Sequence, residues 1–170
     1  MINIWNKLHH LFEKDDGSLP DIFVENITPE EIVTVYSWVL SLTKPCGEPH
    51  LWSLEDNRDI KIADIPNPAL YYIQGKSEPF RHGLEEFYFN GVKVPQLTIY
   101  IGESSIELDY RMGKEWDEKK LISLFEFLYE IRKIAPKSKI FQALEGGYET
   151  PNNEFSIIIE EYFKTRSANE

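Results

Sequence analysis

The sequence predicts an α+β fold: a single domain in which a mostly antiparallel sheet carries helices packed on one face or at one end. Two observations predict it, both within residues 97–135. In LTIYIG-ESS-IELDYR, Leu97, Ile99 and Ile101 alternate with Thr98 and Tyr100, and Ile106, Leu108 and Tyr110 alternate with Glu107, Asp109 and Arg111. A period of two sends one row of side chains to a core and the other to water, which makes this stretch a β-hairpin. Beyond Trp116 the period changes, and Leu121, Leu124, Phe125, Leu128 and Ile131 recur at three- and four-residue steps, an amphipathic helix. Sheet and helix each own one apolar face, and burying the two faces together is the natural solution.

The remaining elements follow in chain order. Ile4, Trp5, Leu8, Leu11 and Phe12 form a helical stripe within residues 1–14 that stops at Asp15-Asp16-Gly17. DIFVENI is a short strand with Ile22 and Val24 on one face. Thr28-Pro29-Glu30-Glu31 is a helix start: Thr28 caps, Pro29 fits the first turn and Glu31 completes a capping box. Ile32, Val35, Tyr36, Val39 and Leu40 carry that helix to about Leu42, and Lys44-Pro45 ends it. HLWSLED and DIKIADI are candidate short strands, interrupted by Pro66 and Pro68. ALYYI, residues 69–73, is expected to be a strand. Residues 74–83, with Gly75, Pro79 and Gly83, are expected to be a loop holding His82, and His50 is expected in another. EFYF, Asn90-Gly91 and VKV read as a hairpin of the Asn-Gly type. IFQAL, residues 140–144, is a last strand. Phe155, Ile158, Ile159, Tyr162 and Phe163 then fit a C-terminal helix capped at Asn153, although Ile157-Ile158-Ile159 also suits a strand. Residues 165–170 are expected to fray.

Composition narrows the function. The chain has 170 residues, enough for one domain that buries about two-thirds of its unfolded surface. Its 18 Lys and Arg against 29 Asp and Glu leave a net charge of −11, which repels nucleic acid and anionic membranes. A basic protein partner, or solubility alone, is what such a charge favours. Cys46 is the only cysteine, so neither an intramolecular disulfide nor a cysteine-based zinc site is expected. The opening MINIWNKLHHLFEK breaks up the apolar core that a leader would need, and no apolar run reaches the roughly 20 residues of a membrane span. The expected compartment is the cytoplasm.

The residue types of catalysis do not assemble into motifs. His9 and His10 are adjacent and face different sides of a helix. Asp15-Asp16, Glu85-Glu86 and Asp117-Glu118 are likewise neighbours, and neighbouring carboxylates do not converge on one cleft. Asp117 and Glu118 suit the first turn of the main helix, where negative charge is favoured. No nucleophile elbow, phosphate-binding loop or dinucleotide fingerprint occurs. No catalytic residue, metal or cofactor is expected.

Three stretches together, DDGSLPDIFVENITPEE, LTIYIGESSIELDYRMGKEW and LISLFEFLYEIRKIAP, resemble the small acidic immunity proteins of bacterial polymorphic toxin systems, of the Rhs or contact-dependent inhibition type. The resemblance spans most of the chain and rests on a strand-turn-helix signature. It implies a non-enzyme that binds and blocks a toxin domain inside the producing cell. The residues then nominate a surface. If the odd-numbered apolar positions of the hairpin's first strand face the core, Tyr100, Glu107 and Asp109 face away together, Tyr88 joins them from the preceding hairpin, and Glu85 and Glu86 supply rim charge. Aromatic anchors among carboxylates suit a basic protein surface. The alternatives are a face that is merely solvated or covered by more helices, a small-molecule site between the sheet and residues 74–83 lined by Tyr72, Arg81 and His82, and a scaffold or secretion-associated adaptor.

Overall fold

The computed structural model describes residues 3–169; Met1, Ile2 and Glu170 lie outside the described residues. In chain order the helices are α1 (Ile4–Leu8), α2 (Pro29–Leu42), α3 (Pro68–Ile73), α4 (Glu118–Ile134) and α5 (Asn153–Ser167). The strands are β1 (Asp21–Glu25), β2 (Lys44–Pro45), β3 (His50–Ser53), β4 (Arg58–Lys61), β5 (Phe80–Glu85), β6 (Tyr88–Phe89), β7 (Val92–Lys93), β8 (Leu97–Ile101), β9 (Ser105–Tyr110) and β10 (Lys139–Ala143). Six of them form one antiparallel sheet in the order β10-β1-β9-β8-β5-β2. The ribbons β3-β4 and β6-β7 stand apart from it.

Alternation sorts the sheet into two faces. Ile22, Val24, Leu84, Leu97, Ile99, Ile101, Ile106 and Leu108 are buried and join one continuous core with Leu121, Leu124, Phe125 and Leu128 of α4. That core also takes in residues of α1, α2 and α5, so the helices gather on a single face. Local chemistry sets the helix ends as the sequence predicts. The Thr28 hydroxyl accepts from the Glu31 N–H at 3.2 Å, and the Glu31 carboxylate accepts from the Thr28 N–H at 2.9 Å. Asp117 caps α4 by accepting from the Lys120 N–H at 2.9 Å.

Several elements differ from the expectation. The N-terminal stripe is a short α-helix continued by a 3-10 turn, His9–Leu11. ALYYI is helical: Asn67 accepts from the Leu70 N–H at 3.0 Å and Pro68 occupies the first turn, so an Asn-Pro pair that looks like a strand breaker is a helix start. Phe80–Glu85 is a full strand, and its Phe80, His82 and Leu84 are buried. Gly83 serves close approach there, since a Cβ on it would meet the Cys46 Cβ at 3.0 Å. His50 lies in β3 and His82 in β5, neither in a loop. Asn152, one residue ahead of the expected cap, accepts from the Phe155 N–H at 2.9 Å. Helix α5 runs to Ser167, where the Tyr129 hydroxyl lies 3.0 Å from the Ser167 hydroxyl.

His82 turns into the core beneath the sheet. Its Nδ1 lies 2.9 Å from the Gly83 carbonyl oxygen, which can only accept, so Nδ1 carries the proton and Nε2 accepts from the Tyr36 hydroxyl at 2.8 Å. Burial pulls the His82 pKa below its ordinary 6.5. The folded chain therefore refuses a proton that the unfolded chain accepts, and this contribution to stability is full above pH 6.5 and lost as pH falls below it. Tyr36→Phe leaves Nε2 buried without a donor. It is expected to lower unfolding stability by about 1–2 kcal/mol at pH 7.5, read by urea denaturation.

Candidate functional site

The sheet face opposite the helices carries the functional candidates. Its positions form rows across the strands. In one row Ala143, Asp21, Asp109 and Thr98 are successive partners; in the next, Phe141, Phe23, Glu107, Tyr100 and Arg81 are. The structure thus brings Tyr100, Glu107 and Asp109 together as the alternation predicts. It adds Asp21, Phe23, Phe141 and Tyr148, which the sequence reading did not nominate. The signal for Asp21 and Phe23 was present, because they occupy the positions of DIFVE that alternate with Ile22 and Val24.

The other nominated residues lie elsewhere. Tyr88 is exposed in the separate β6-β7 ribbon and does not join Tyr100. Glu86 sits in a left-handed turn (φ 51°) just ahead of that ribbon, and the Ser123 hydroxyl of α4 donates to the Phe89 carbonyl at 2.8 Å, holding the ribbon to the helical layer. Glu85 does share the open face, at the edge where β2 pairs with β5, and accepts from the Cys46 thiol at 3.1 Å. That hydrogen bond raises the Cys46 pKa, so the thiol is not activated. Glu86 pairs with Lys44 at 3.0 Å. Arg81 and His82 point to opposite faces of β5, so the small-molecule site imagined between them and Tyr72 does not form.

Electrostatics distinguishes the centre of the open face. Asp21 and Asp109 are direct cross-strand partners, an arrangement in which like charges repel. Burial, with the Asp109 charge second, pushes the Asp21 pKa from 3.8 up to about 6. Glu107 and Asp109 are also raised, both chiefly by burial. Arg81 lies 3.9 Å from Asp109, beyond hydrogen-bonding reach, with its guanidinium over the Tyr100 ring. Beside the carboxylates, Phe23 stacks on Phe141 with ring centroids 5.1 Å apart, and Tyr148 meets Phe23 edge-on at 5.2 Å. The Tyr148 hydroxyl donates to Glu25.

These raised carboxylates oppose folding at neutral pH. A proton is bound by folded Asp21 and not by unfolded Asp21 between pH 3.8 and about 6, so stability from this group is lost as pH rises through that window. Asp21→Asn is expected to stabilise the chain by about 1 kcal/mol at pH 7.5, after allowance for solvent screening of a half-exposed group. The gain shrinks toward pH 4, and thermal unfolding at the two pH values measures it.

Other features carry no convergent chemistry. An open cleft of about 480 Å³ lies between Asp15 and Lys114, where Asp15 already accepts from the Arg111 Nε at 2.9 Å. Among the described residues no group of three or more His, Cys, Asp or Glu side chains is arranged to hold a metal ion. No described helix is long and apolar enough to cross a membrane.

No family model matches the chain, and no curated protein matches it in sequence. Its fold is shared with a chain from the crystal structure of the toxic C-terminal tip of CdiA from Pseudomonas aeruginosa in complex with immune protein. The identity is 14%, the TM-score is 0.51, and the match covers 76% of this chain and 88% of that one. A Pseudomonas aeruginosa T6SS protein aligns over 86% of this chain and 50% of that one, at 11% identity and a TM-score of 0.38.

Proposed function

We propose that this chain is an immunity-type inhibitor, a non-enzyme that neutralises a basic toxin domain inside the producing cell by stoichiometric protein–protein contact. The observation that carries the reading is the sheet face opposite the helices, where Asp21, Glu107 and Asp109 are partly withdrawn from water and outnumber Arg81, the cation beside them. Charges held this way weaken the free protein and strengthen attraction to a cationic surface. Tyr100 and Tyr148 add aromatic contact area beside them, with Phe23 and Phe141 buried against Tyr148. Glu85 stands at the rim, while Tyr88 and Glu86 belong to a secondary contact at most. The net charge of −11 favours fast capture of a nuclease-like toxin whose groove is built for phosphates. The fold shared with a chain of a toxin–immune protein complex supports the same reading.

Co-expression with any toxin domain found encoded beside its gene tests the proposal. Restored colony formation and a one-to-one complex in size-exclusion chromatography with light scattering are expected. Continued killing with no complex contradicts it.

A further inference from the structure

The β3-β4 ribbon lies outside the six-stranded sheet, but its backbone is tied to the run that leads into β5. Ser77 bridges Ser53, the Glu78 N–H donates to the Trp52 carbonyl at 3.0 Å, and the Leu54 N–H donates to the Lys76 carbonyl at 2.8 Å. Ser53 and Ser77 are buried, and the Ser53 hydroxyl lies 2.8 Å from the Tyr71 hydroxyl beside α2 on α3, so this face of the ribbon rests on the helical layer. Alternation turns Trp52 and Glu78 the other way, to the side that also carries Arg81.

Trp52 stands there between two carboxylates. Asp59 is its cross-strand partner on β4, and Glu78 lies opposite it on the other side. Both are exposed, and among the described residues neither makes an ion pair or a side-chain hydrogen bond. Trp52 is 39% exposed and Leu54, next in the same alternation, 53%, whereas Trp5 and Trp38 are half-buried and Trp116 is buried. Lys76 lies over the Tyr71 ring and Arg81 over Tyr100, but among the described residues no cation lies over Trp52.

We infer that Trp52 and Leu54 anchor the basic partner domain, which covers them with apolar side chains and sets its own cations against Asp59 and Glu78. The inference deepens the toxin-binding reading and rests on it. Charge complementarity selects the occupant: an exposed indole rimmed by unpaired carboxylates matches an apolar patch rimmed by Lys or Arg, and a cation is also attracted to the indole face. The anchor and the carboxylates of the main sheet then act on different steps. Charge at the centre of the open face sets the rate of encounter, whereas a buried tryptophan sets the rate of release.

The anchor is tested by fluorine NMR on the full chain carrying 5-fluorotryptophan, with W52F assigning the Trp52 signal. The probe is a toxin domain found encoded beside the gene, and egg-white lysozyme, basic but unrelated, is the control. The Trp52 signal is expected to shift or broaden with the toxin domain while those of Trp38 and Trp116 stay in place, and lysozyme is expected to move none of them. A Trp52 signal unmoved in the complex, or moved equally by lysozyme, overturns the anchor. Dissociation is the second readout: W52A is expected to shorten the lifetime of the complex about tenfold and L54S about threefold, with association rates changed less than about twofold. Unchanged lifetimes in both variants overturn the anchor and leave the toxin reading standing. Absence of any complex with the unsubstituted chain overturns the toxin reading and the anchor with it.

Discussion

Reversing Glu107 and Asp109 to lysine together is expected to slow association with the basic partner by about 10- to 100-fold, with a flattened dependence on salt. Both side chains sit on β9 and face away from the helices, so the change replaces two negative charges by two positive ones at the centre of the proposed contact. Electrostatic steering acts on encounter, and stopped-flow association between 50 and 500 mM salt reads it directly. Each reversal also sets a lysine near Arg81. A circular-dichroism melt therefore accompanies the kinetics, and E107Q/D109N, which removes charge without adding a cation, is expected to give a smaller change in the same direction. Unchanged association rates in both variants would take this face out of the mechanism.

Phe127→Ala is expected to destabilise the chain by about 3–5 kcal/mol while leaving the partner's association rate unchanged in the molecules that remain folded. Phe127 lies on the face of α4 turned to α2 and the β6-β7 ribbon. Its ring stacks on Trp38 at 5.3 Å and meets Phe87 and Phe89 edge-on at 4.9 and 5.8 Å. Truncation opens a cavity among three rings and removes aromatic contacts that each contribute about 0.5–1.5 kcal/mol beyond burial. Against a total stability of about 5–15 kcal/mol, the loss brings the fold close to its unfolding threshold. Urea denaturation supplies the stability change, and association kinetics separates it from function, because Phe127 lies in the helical layer and the proposed contact face is across the sheet.

The contrast between these two residues bears on what the sequence reveals. Period-two and period-3.6 patterns are local, so β8, β9 and α4 were legible almost residue by residue, together with the Thr28 capping box and the Asn90-Gly91 turn, where φ is 49° and 76°. Strand order is not local. Nothing within DIFVE announces that β1 inserts between β9 and β10, and that insertion is what sets Asp21 opposite Asp109 and Phe23 opposite Phe141. Half of the candidate site thus depends on pairings more than 80 residues apart in sequence. Tyr88 lies between Phe87 and Phe89, an alternation that suggests the open face, but the left-handed turn at Glu86 sets its ribbon apart from the main sheet and against α4. Strand β5 was obscured by Pro79 and Gly83, punctuation that signals a loop until the close approach of Cys46 explains the glycine. Asn67-Pro68 misled in the opposite sense, serving as cap and first-turn residue of α3.

Carbodiimide labelling of carboxylates, in the free chain and in the toxin complex, tests the central claim most directly. Asp21, Glu107 and Asp109 mark the open face, while Glu30 on α2 and Glu161 on α5 mark the helical side. Loss of labelling at the first three on binding, with Glu30 and Glu161 labelled as before, is the expected result. Protection of Glu30 or Glu161 with the open face still reactive would place the partner on the helices and contradict the account.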